Sequence, residues 1–130
     1  MTTVLVDSHV LLWMDSDPDR LSLAANEAIL AADELAVASV TWYELAWLAE
    51  HDRIEAKLPL NSWLDDLAGQ VRTVPITPAI ATAAVQLPAS FPRDPTDRII
   101  YATAIQYGWK LVTKDEQLRA HRHSTEVTVW

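Results

Sequence analysis

Hydrophobic positions along the chain alternate between short apolar runs and longer segments in which apolar residues recur with helical spacing. The short runs are typical of buried strands. They lie at residues 3–6, 35–38, 71–75, 109–113 and 126–129. Pro75 has no backbone N–H to donate, so we expect the third of these strands to lie toward an edge of its sheet.

Between the strands, apolar residues at spacings of three and four predict amphipathic helices. After a cap at Asp7 and Ser8, these helices are expected at 9–14, 21–32, about 41–52, 60–68 (stopped by Gly69), 78–86 and 94–107 (stopped by Gly108). Residues 15–19 and 87–92 are predicted loops. The helix at about 41–52 is apolar on two sides, which predicts packing against both the sheet and a partner.

Strands that alternate with helices predict an α/β fold. We expect a three-layer α/β/α sandwich with a mainly parallel sheet of four to five strands, and a single domain that spans residues 1–130. Half of the residues are hydrophobic and 22% are charged, which is typical of globular proteins. No apolar run approaches the roughly 18 residues of a membrane span, and no signal peptide is recognisable, so we expect a cytoplasmic protein with no membrane partner.

Composition and charge narrow the possible chemistry. The chain has no cysteine, which excludes disulfides, thiolate zinc sites and a Cys nucleophile. The net charge of −8 argues against broad, nonspecific binding of nucleic acid. However, residues 1–92 carry a net charge of −9, whereas residues 93–130 carry +1. A polyanion is therefore expected to approach the C-terminal third of the chain.

Carboxylates follow the predicted strands at the positions where sites form in parallel sheets. Asp7 directly follows the first strand, Glu44 lies soon after the second, and Asp115 follows the strand at 109–113. Asp94 and Asp97 begin a helix on the same edge and share one of its faces. Since such sites form beyond the carboxyl ends of the strands, these acids are expected to converge on one rim.

Each carboxylate also has a purely structural interpretation. Asp7, Asp94 and Asp115 are good helix caps, and Glu44 matches a capping box that begins at Thr41. A rim of like charges is nevertheless costly, because the carboxylates raise one another's pKa unless cations lie between them. All-oxygen ligation selects Mg²⁺ or Mn²⁺, and two such ions are a recurrent arrangement for phosphodiester hydrolysis.

Four sequence blocks resemble those of the PIN-domain ribonucleases, in order and at matching spacing over essentially the whole chain. They are VDSHVLLW at 6–13, SVTWYELA at 39–46, DPTDRIIYATA at 94–104 and LVTKD at 111–115. More narrowly, the chain resembles a VapC-type toxin of a type II toxin–antitoxin system. The resemblance implies strand order 3-2-1-4-5, Mg²⁺-dependent or Mn²⁺-dependent cleavage of RNA, a homodimer and a VapB-type antitoxin.

The same resemblance implies roles for individual residues. The catalytic and metal-binding carboxylates would be Asp7, Glu44, Asp97 and Asp115. Accessory roles, as a second acid or as hydrogen-bonding neighbours of the carboxylates, would fall to Asp94, Ser8 and Thr113. Basic residues beside the rim that are candidates for contact with RNA phosphates are Arg98, Lys114 and Arg93.

The remaining candidates have structural interpretations. Arg98 is equally suited to pair with Asp94 or with another acid. Many relatives carry a His where this chain has Pro92, and no His is assigned a catalytic role. The histidines are expected at the surface or in packing, at His9, His51, His121 and His123. Four tryptophans are expected in the core or at a partner contact, at Trp13, Trp42, Trp47 and Trp63.

Two other functions remain open from the sequence. A PIN-like domain without catalytic activity would serve only to bind proteins. A receiver-like phosphoacceptor also has an acidic rim on a doubly wound sheet, but it should carry an acid after the third strand, where this chain has Pro75 and Pro78. If the protein is a toxin, we expect the tail of a VapB-type antitoxin to place an Arg or Lys among the carboxylates.

Overall fold

The computed structural model describes residues 1–57, 59–123 and 126–130, and these residues contain five strands and seven α-helices. The strands are β1 (Thr3–Val6), β2 (Glu34–Ala38), β3 (Arg72–Val74), β4 (Lys110–Val112) and β5 (Thr128–Val129). The helices are α1 (Ser8–Ser16), α2 (Leu23–Ala31), α3 (Val40–Glu50), α4 (Leu60–Ala68), α5 (Pro78–Val85), α6 (Pro95–Tyr107) and α7 (Glu116–Ala120).

The strands form one sheet in the order β3-β2-β1-β4-β5, and every neighbouring pair is parallel. β1 is the central strand, and its residue Leu5 lies between Ala36 of β2 and Leu111 of β4. β3 lies at an edge, as Pro75 predicted. All carboxyl ends of the strands therefore lie at the same edge of the sheet, which is where a site is expected.

Helices cover both faces of the sheet, so the predicted three-layer sandwich is confirmed. On one face, buried side chains of α1 to α4 pack on Val4, Val6, Val37 and Val112. On the other face, α5, α6 and α7 pack on Leu5, Ala36, Ala38, Leu111 and their neighbours. Adjacent strand residues thus alternate between two cores, which explains why the strands read as continuous apolar runs.

The structure corrects several predicted boundaries. Part of the loop predicted at 15–19 is helical, because α1 continues to Ser16 and a 3₁₀ turn covers Pro18–Arg20. The short helix α7 was not predicted, because its five residues have too few apolar positions to reveal a period. The apolar stripe predicted at 21–32 mostly faces the core: Ala25 is buried, Leu21, Ala28, Ile29 and Ala32 pack against the core, and Ala24 is exposed. The helix itself is shorter than predicted and covers Leu23–Ala31.

The two glycines at helix ends act differently. Gly108 ends α6 with a φ of 68°, a left-handed conformation that glycine adopts without steric cost. Gly69 ends α4 with a φ of −68°, so the helix stops there without the left-handed conformation.

Among the described residues, no helix is long and apolar enough to cross a membrane.

Candidate active site

Asp7 stands at the carboxyl end of the central strand and is 8% exposed. Its Oδ1 accepts a hydrogen bond from the Ser8 backbone N–H at 2.7 Å. Its Oδ2 accepts one from Thr113 Oγ1, which follows β4, also at 2.7 Å. Both carboxylate oxygens are therefore held in place by the two central strands, and the side chain is aimed at the edge where other acids lie.

Glu44 projects from the second turn of α3. The capping box considered for Thr41 and Glu44 is not formed, because α3 begins at Val40 and Ser39 makes no side-chain cap. Ser8 Oγ forms a hydrogen bond of 3.2 Å with Thr41 Oγ1. Burial raises the pKa of Glu44, and a hydrogen bond from Ser8 to the Glu44 carboxylate partly offsets this rise. Capping thus does not explain the position of Glu44.

Asp94 and Asp97 occupy the start of α6. Asp94 is the N-cap, and its Oδ1 accepts hydrogen bonds from the N–H groups of Thr96 at 2.8 Å and Asp97 at 3.3 Å. Asp97 lies one turn later, so its side chain is directed to the same edge. Asp94 thus fixes the first turn of the helix that presents Asp97.

Asp115 follows β4 and caps α7, which begins at the next residue. Its Oδ1 accepts hydrogen bonds from the N–H groups of Gln117 at 2.8 Å and Leu118 at 3.1 Å. The Asp115 N–H donates to Thr113 Oγ1 at 3.1 Å. Thr113 therefore links the Asp7 carboxylate to the backbone of Asp115, since its hydroxyl donates to Asp7 Oδ2 and accepts from the Asp115 N–H.

These acids line one open cleft of about 480 Å³ at the carboxyl edge of the sheet. Its lining residues are Asp7, His9, Trp13, Glu44, Asp94, Asp97, Lys114, Asp115 and Glu116. Within the described ranges, no three Asp, Glu or His side chains stand close enough to share one ion as they are arranged here.

The pKa of Asp97 shows that the carboxylates interact. Burial, followed by the negative charges of Asp94, Asp115, Asp7 and Glu44, raises the pKa of Asp97 to about 7. Burial also raises the pKa of Asp7 and of Glu44, although hydrogen bonds to each carboxylate act in the opposite direction. Within the described part of the chain, no donor offsets the charge of Asp97 in this way. A positive partner would therefore stabilise the charged form of Asp97.

The donor set fits a hard divalent cation. Every candidate ligand in the quartet offers carboxylate oxygen, which Mg²⁺ and Mn²⁺ prefer. A cation between these groups would remove the repulsion that raises the pKa of Asp97. The residues that could hold such an ion are Asp7, Glu44, Asp97 and Asp115.

The raised pKa of Asp97 predicts how stability depends on pH. Because the folded state holds this proton more tightly than the unfolded state, the free energy of unfolding in EDTA should rise as pH falls from about 8 to about 5.5. We expect a gain of about 1–2 kcal/mol after allowance for solvent screening of a half-exposed group. Denaturant titrations of the protein, of Asp97→Asn and of the exposed control Asp66→Asn measure it. The gain should shrink in Asp97→Asn alone, and a fall in stability over this interval would contradict the prediction.

The three basic residues predicted to meet RNA are divided between the acidic cleft and an apolar cavity that Arg93 and Arg98 both line. Lys114 lines the acidic cleft. Arg93 lines the apolar cavity, of about 280 Å³, beside Ile76, Val85 and Ile99. Arg98 faces the loop between α5 and α6. The cleft therefore receives one of the three predicted RNA contacts.

Arg98 binds the segment that connects α5 and α6. In the described part of the chain it forms no ion pair with an acid, and it does not line the acidic cleft. Its guanidinium donates hydrogen bonds of 2.8–3.3 Å to the backbone carbonyls of Ala84, Leu87, Pro88, Phe91 and Pro92. The guanidinium also lies over the Phe91 ring, 5.7 Å from its centroid. The expected pairing with Asp94 is not what the structure records, and we treat Arg98 as a structural residue.

Three residues of the cleft were not predicted as part of the site. His9 and Trp13 project from α1 at a spacing of four, and Glu116 follows Asp115. The signal for His9 and Trp13 was their helical spacing after Asp7, which places them on the face nearest the strand end. Trp13 is also buried, as predicted, at 8% exposure.

The other tryptophans divide between core and surface. Trp63 is buried, with an exposure of 5%, and donates to Asp15 Oδ2 at 3.2 Å. Trp47 was expected in the core or at a partner contact, and it is 41% exposed with its ring stacked on His51 at 4.0 Å. Together with Tyr43, which is 70% exposed, Trp47 gives α3 an apolar outer side.

Comparison with known proteins identifies the family. A model of the PIN domain matches residues 4–123. The chain is 63% identical over 130 residues to "Ribonuclease VapC22" of Mycobacterium tuberculosis, and the match covers all of both chains. This identity is far above the level at which family membership is in doubt.

Solved structures share the fold at low sequence identity. A toxin–antitoxin complex from Klebsiella pneumoniae has a chain with a TM-score of 0.70 and 21% identity, covering 98% of this chain and 96% of that one. A chain of VapBC2 from Rickettsia felis, bound to a promoter DNA fragment, has a TM-score of 0.65 and 18% identity, covering 88% and 89%. The chain therefore belongs to the PIN-domain family and, within that family, to the VapC proteins.

Proposed function

We propose that the protein is a metal-dependent endoribonuclease of the VapC type, a toxin that a VapB-type antitoxin neutralises. The observation that carries the proposal is the cleft that brings together carboxylates that follow β1 and β4 or lie on α3 and α6; burial and the neighbouring negative charges raise the pKa of Asp97 there to about 7. Carboxylates brought together at such an electrostatic cost are typical of functional sites.

The relatives support this proposal. The curated relative with 63% identity is named a ribonuclease, and its match includes every position of the quartet. Two of the solved neighbours are toxin–antitoxin complexes, which supports an antitoxin as partner. RNA as substrate and a divalent ion as cofactor remain parts of our proposal.

The quartet would hold the divalent ions. Asp97 and Asp7 are the principal ligands in this proposal, and Glu44 and Asp115 complete the set. When bound, Mg²⁺ or Mn²⁺ supplies Lewis-acid stabilisation of the negative charge that develops on the phosphate oxygens during hydrolysis.

The protein's own groups prepare the site. Ser8 and Thr113 fix both oxygens of Asp7, so this carboxylate loses little rotational freedom on binding. Asp94 fixes the first turn of α6 and orients Asp97. Lys114 lines the same cleft and offers a positive charge to an RNA phosphate beside the acids.

The antitoxin would cover the same cleft. A basic side chain in its tail would meet Asp97 and the neighbouring carboxylates, whose negative charges contribute to the raised pKa of Asp97. The exposed Tyr43 and Trp47 on α3 flank this region and would receive apolar residues of the same tail. We also include a homodimer in the proposal, because Ile76 and Val85 remain exposed beside the apolar cavity between α5 and α6.

Cleavage of RNA by the antitoxin-free protein tests the function. We expect labelled RNA to be cut internally in the presence of Mg²⁺ or Mn²⁺ and to remain intact when EDTA removes the ion. Undiminished cleavage in EDTA would contradict metal dependence. A folded wild-type protein that cuts no RNA under any condition would favour the catalytically silent alternative.

A further inference from the structure

Two cations are held over one indole ring at the side of the acidic cleft. The Arg20 guanidinium carbon lies 5.0 Å from the ring centroid of Trp13, and the Lys114 ammonium lies 5.7 Å from it. Both distances are within the range of a cation–π contact. Trp13 and Lys114 both line the cleft, whereas Arg20 lies beside it, in contact with the Trp13 ring.

Among the described residues, neither cation lies within 4.0 Å of a carboxylate oxygen. Within the described part of the chain, the ion pairs are Lys57 with Asp15 and Arg72 with Glu34. Lys114 therefore stays more than 4.0 Å from the carboxylate oxygens, although it lines the same cleft as Asp115 and Glu116. In a chain with a net charge of −8, two cations without an acidic partner on one ring need an explanation.

Three separate elements fix this arrangement. Trp13 lies on α1, where its ring also contacts Trp130 at 5.9 Å between centroids. Arg20 ends the 3₁₀ turn, which is closed by its N–H donating to the Asp17 carbonyl at 3.1 Å. Lys114 directly follows β4 and its neighbour Thr113. The positive patch, formed by Arg20 and Lys114 around Trp13, is thus positioned by three separate parts of the backbone.

We infer that Arg20 and Lys114, held by Trp13, form a binding subsite for a phosphate of the RNA strand next to the bond that is cut. The inference rests on the proposed nuclease function. A strand whose scissile phosphate lies among the carboxylates must pass their negative charges, and an adjacent pair of cations offsets that repulsion for the neighbouring phosphate. Trp13 acts as a positioning residue, because its ring holds both cations away from the acids.

Salt-dependent RNA binding tests the subsite. Fluorescence anisotropy of a labelled single-stranded RNA is measured at several salt concentrations, in an Asp97→Asn background so that the strand stays intact. Arg20→Gln and Lys114→Gln should each reduce the slope of log affinity against log salt by about 0.7 and weaken binding about fourfold at 0.15 M salt. The double variant should weaken binding by roughly 15-fold under the same conditions.

Two controls isolate the charge and its position. Arg20→Lys keeps the positive charge and should keep most of the salt slope. Arg53→Gln removes an exposed charge that borders a different cavity and should bind as the parent does. Parallel cleavage assays use Arg20→Gln and Lys114→Gln in the otherwise wild-type protein.

The possible results distinguish a failure of the proposed subsite from a failure of the proposed nuclease function. If the wild-type protein cuts RNA and both Gln variants keep the parent's affinity and slope, the subsite is wrong and the nuclease stands. If the slopes fall but no RNA is cut, the subsite is supported and the nuclease is wrong. If RNA binding is unchanged and binding of a VapB-type antitoxin weakens instead, the patch is a protein contact and the inference is overturned.

Discussion

We expect the Asp97→Asn variant to cleave RNA about 10³-fold more slowly than the wild type. The substitution removes several kcal/mol of charge stabilisation, and a loss of that size slows a reaction by about this factor. Asn keeps the size of the side chain and removes the charge that four neighbouring acids act upon. Initial rates on a labelled RNA, in Mg²⁺ and in Mn²⁺, measure the loss. Induced expression should likewise lose its inhibition of growth.

Stability separates loss of chemistry from loss of fold in this variant. Asp97→Asn removes a repelling charge, so its midpoint of thermal unfolding in EDTA should equal or exceed that of the wild type. Asp66→Asn, an exposed substitution on α4, should change neither rate nor stability. Full cleavage by the Asp97→Asn variant would overturn the assignment of the quartet.

Arg98→Met is expected to lower the free energy of unfolding by about 3–5 kcal/mol, since hydrogen bonds to a charged donor contribute about 1.5–3 kcal/mol each and are not additive. The substitution leaves carbonyls between Ala84 and Pro92 without their donor, while Met retains the apolar stem. Arg98→Lys should recover little of the loss, because one ammonium cannot replace a planar group with donors on several sides. Denaturant titrations provide the measurement.

The neighbouring Arg93 is the matched control. It is exposed and borders an apolar cavity, so Arg93→Met should change the stability by less than about 0.5 kcal/mol. If Arg98→Met were as stable as the wild type and bound RNA less well, the prediction that Arg98 contacts RNA would be right. The structural role proposed for it would then be wrong.

Much of the fold could be predicted because its strands are buried on both faces. Runs such as Thr3–Val6 are short, rich in β-branched residues and mostly apolar, and a cap at Asp7 bounds this one, so a buried strand is the favoured interpretation. The helix at Leu60–Ala68 was predicted at its observed bounds, where apolar spacing and Gly69 agree. The order of the strands is a different matter, because apolar runs do not say which strands are neighbours. That order was implied by the resemblance to the family.

The acidic cleft could be predicted in outline, because parallel strands deliver their carboxyl ends to one edge. Asp7 and Asp115 follow neighbouring strands, and helix spacing adds Asp94 and Asp97. The sequence did not show which side chains contact the basic residues near the cleft. Lys114 and Arg20 meet Trp13 through a 3₁₀ turn that the sequence presented as loop.

The contacts of Arg98 could not be predicted from the sequence for a different reason. Its partners are backbone carbonyls of residues 84–92, and every residue type has such a carbonyl. A side-chain pattern therefore carries no trace of the interaction. The sequence records the charge of the basic residue next to Asp97 but not the carbonyls that it contacts, and an RNA contact of Arg98 stays a prediction.

The hydrogen bond from Thr113 to Asp7 has a consequence for biosynthesis. It joins residues 106 positions apart, and β1 cannot complete its place in the sheet before β4 has been made. Contacts of such long range form late and slowly. A growing polypeptide on the ribosome therefore carries Asp7, Glu44 and Asp97 without the strand that orients the first of them. We therefore expect the acidic cleft to stay incomplete on a growing chain until β4 has been made, so that any activity of the cleft begins only after that point.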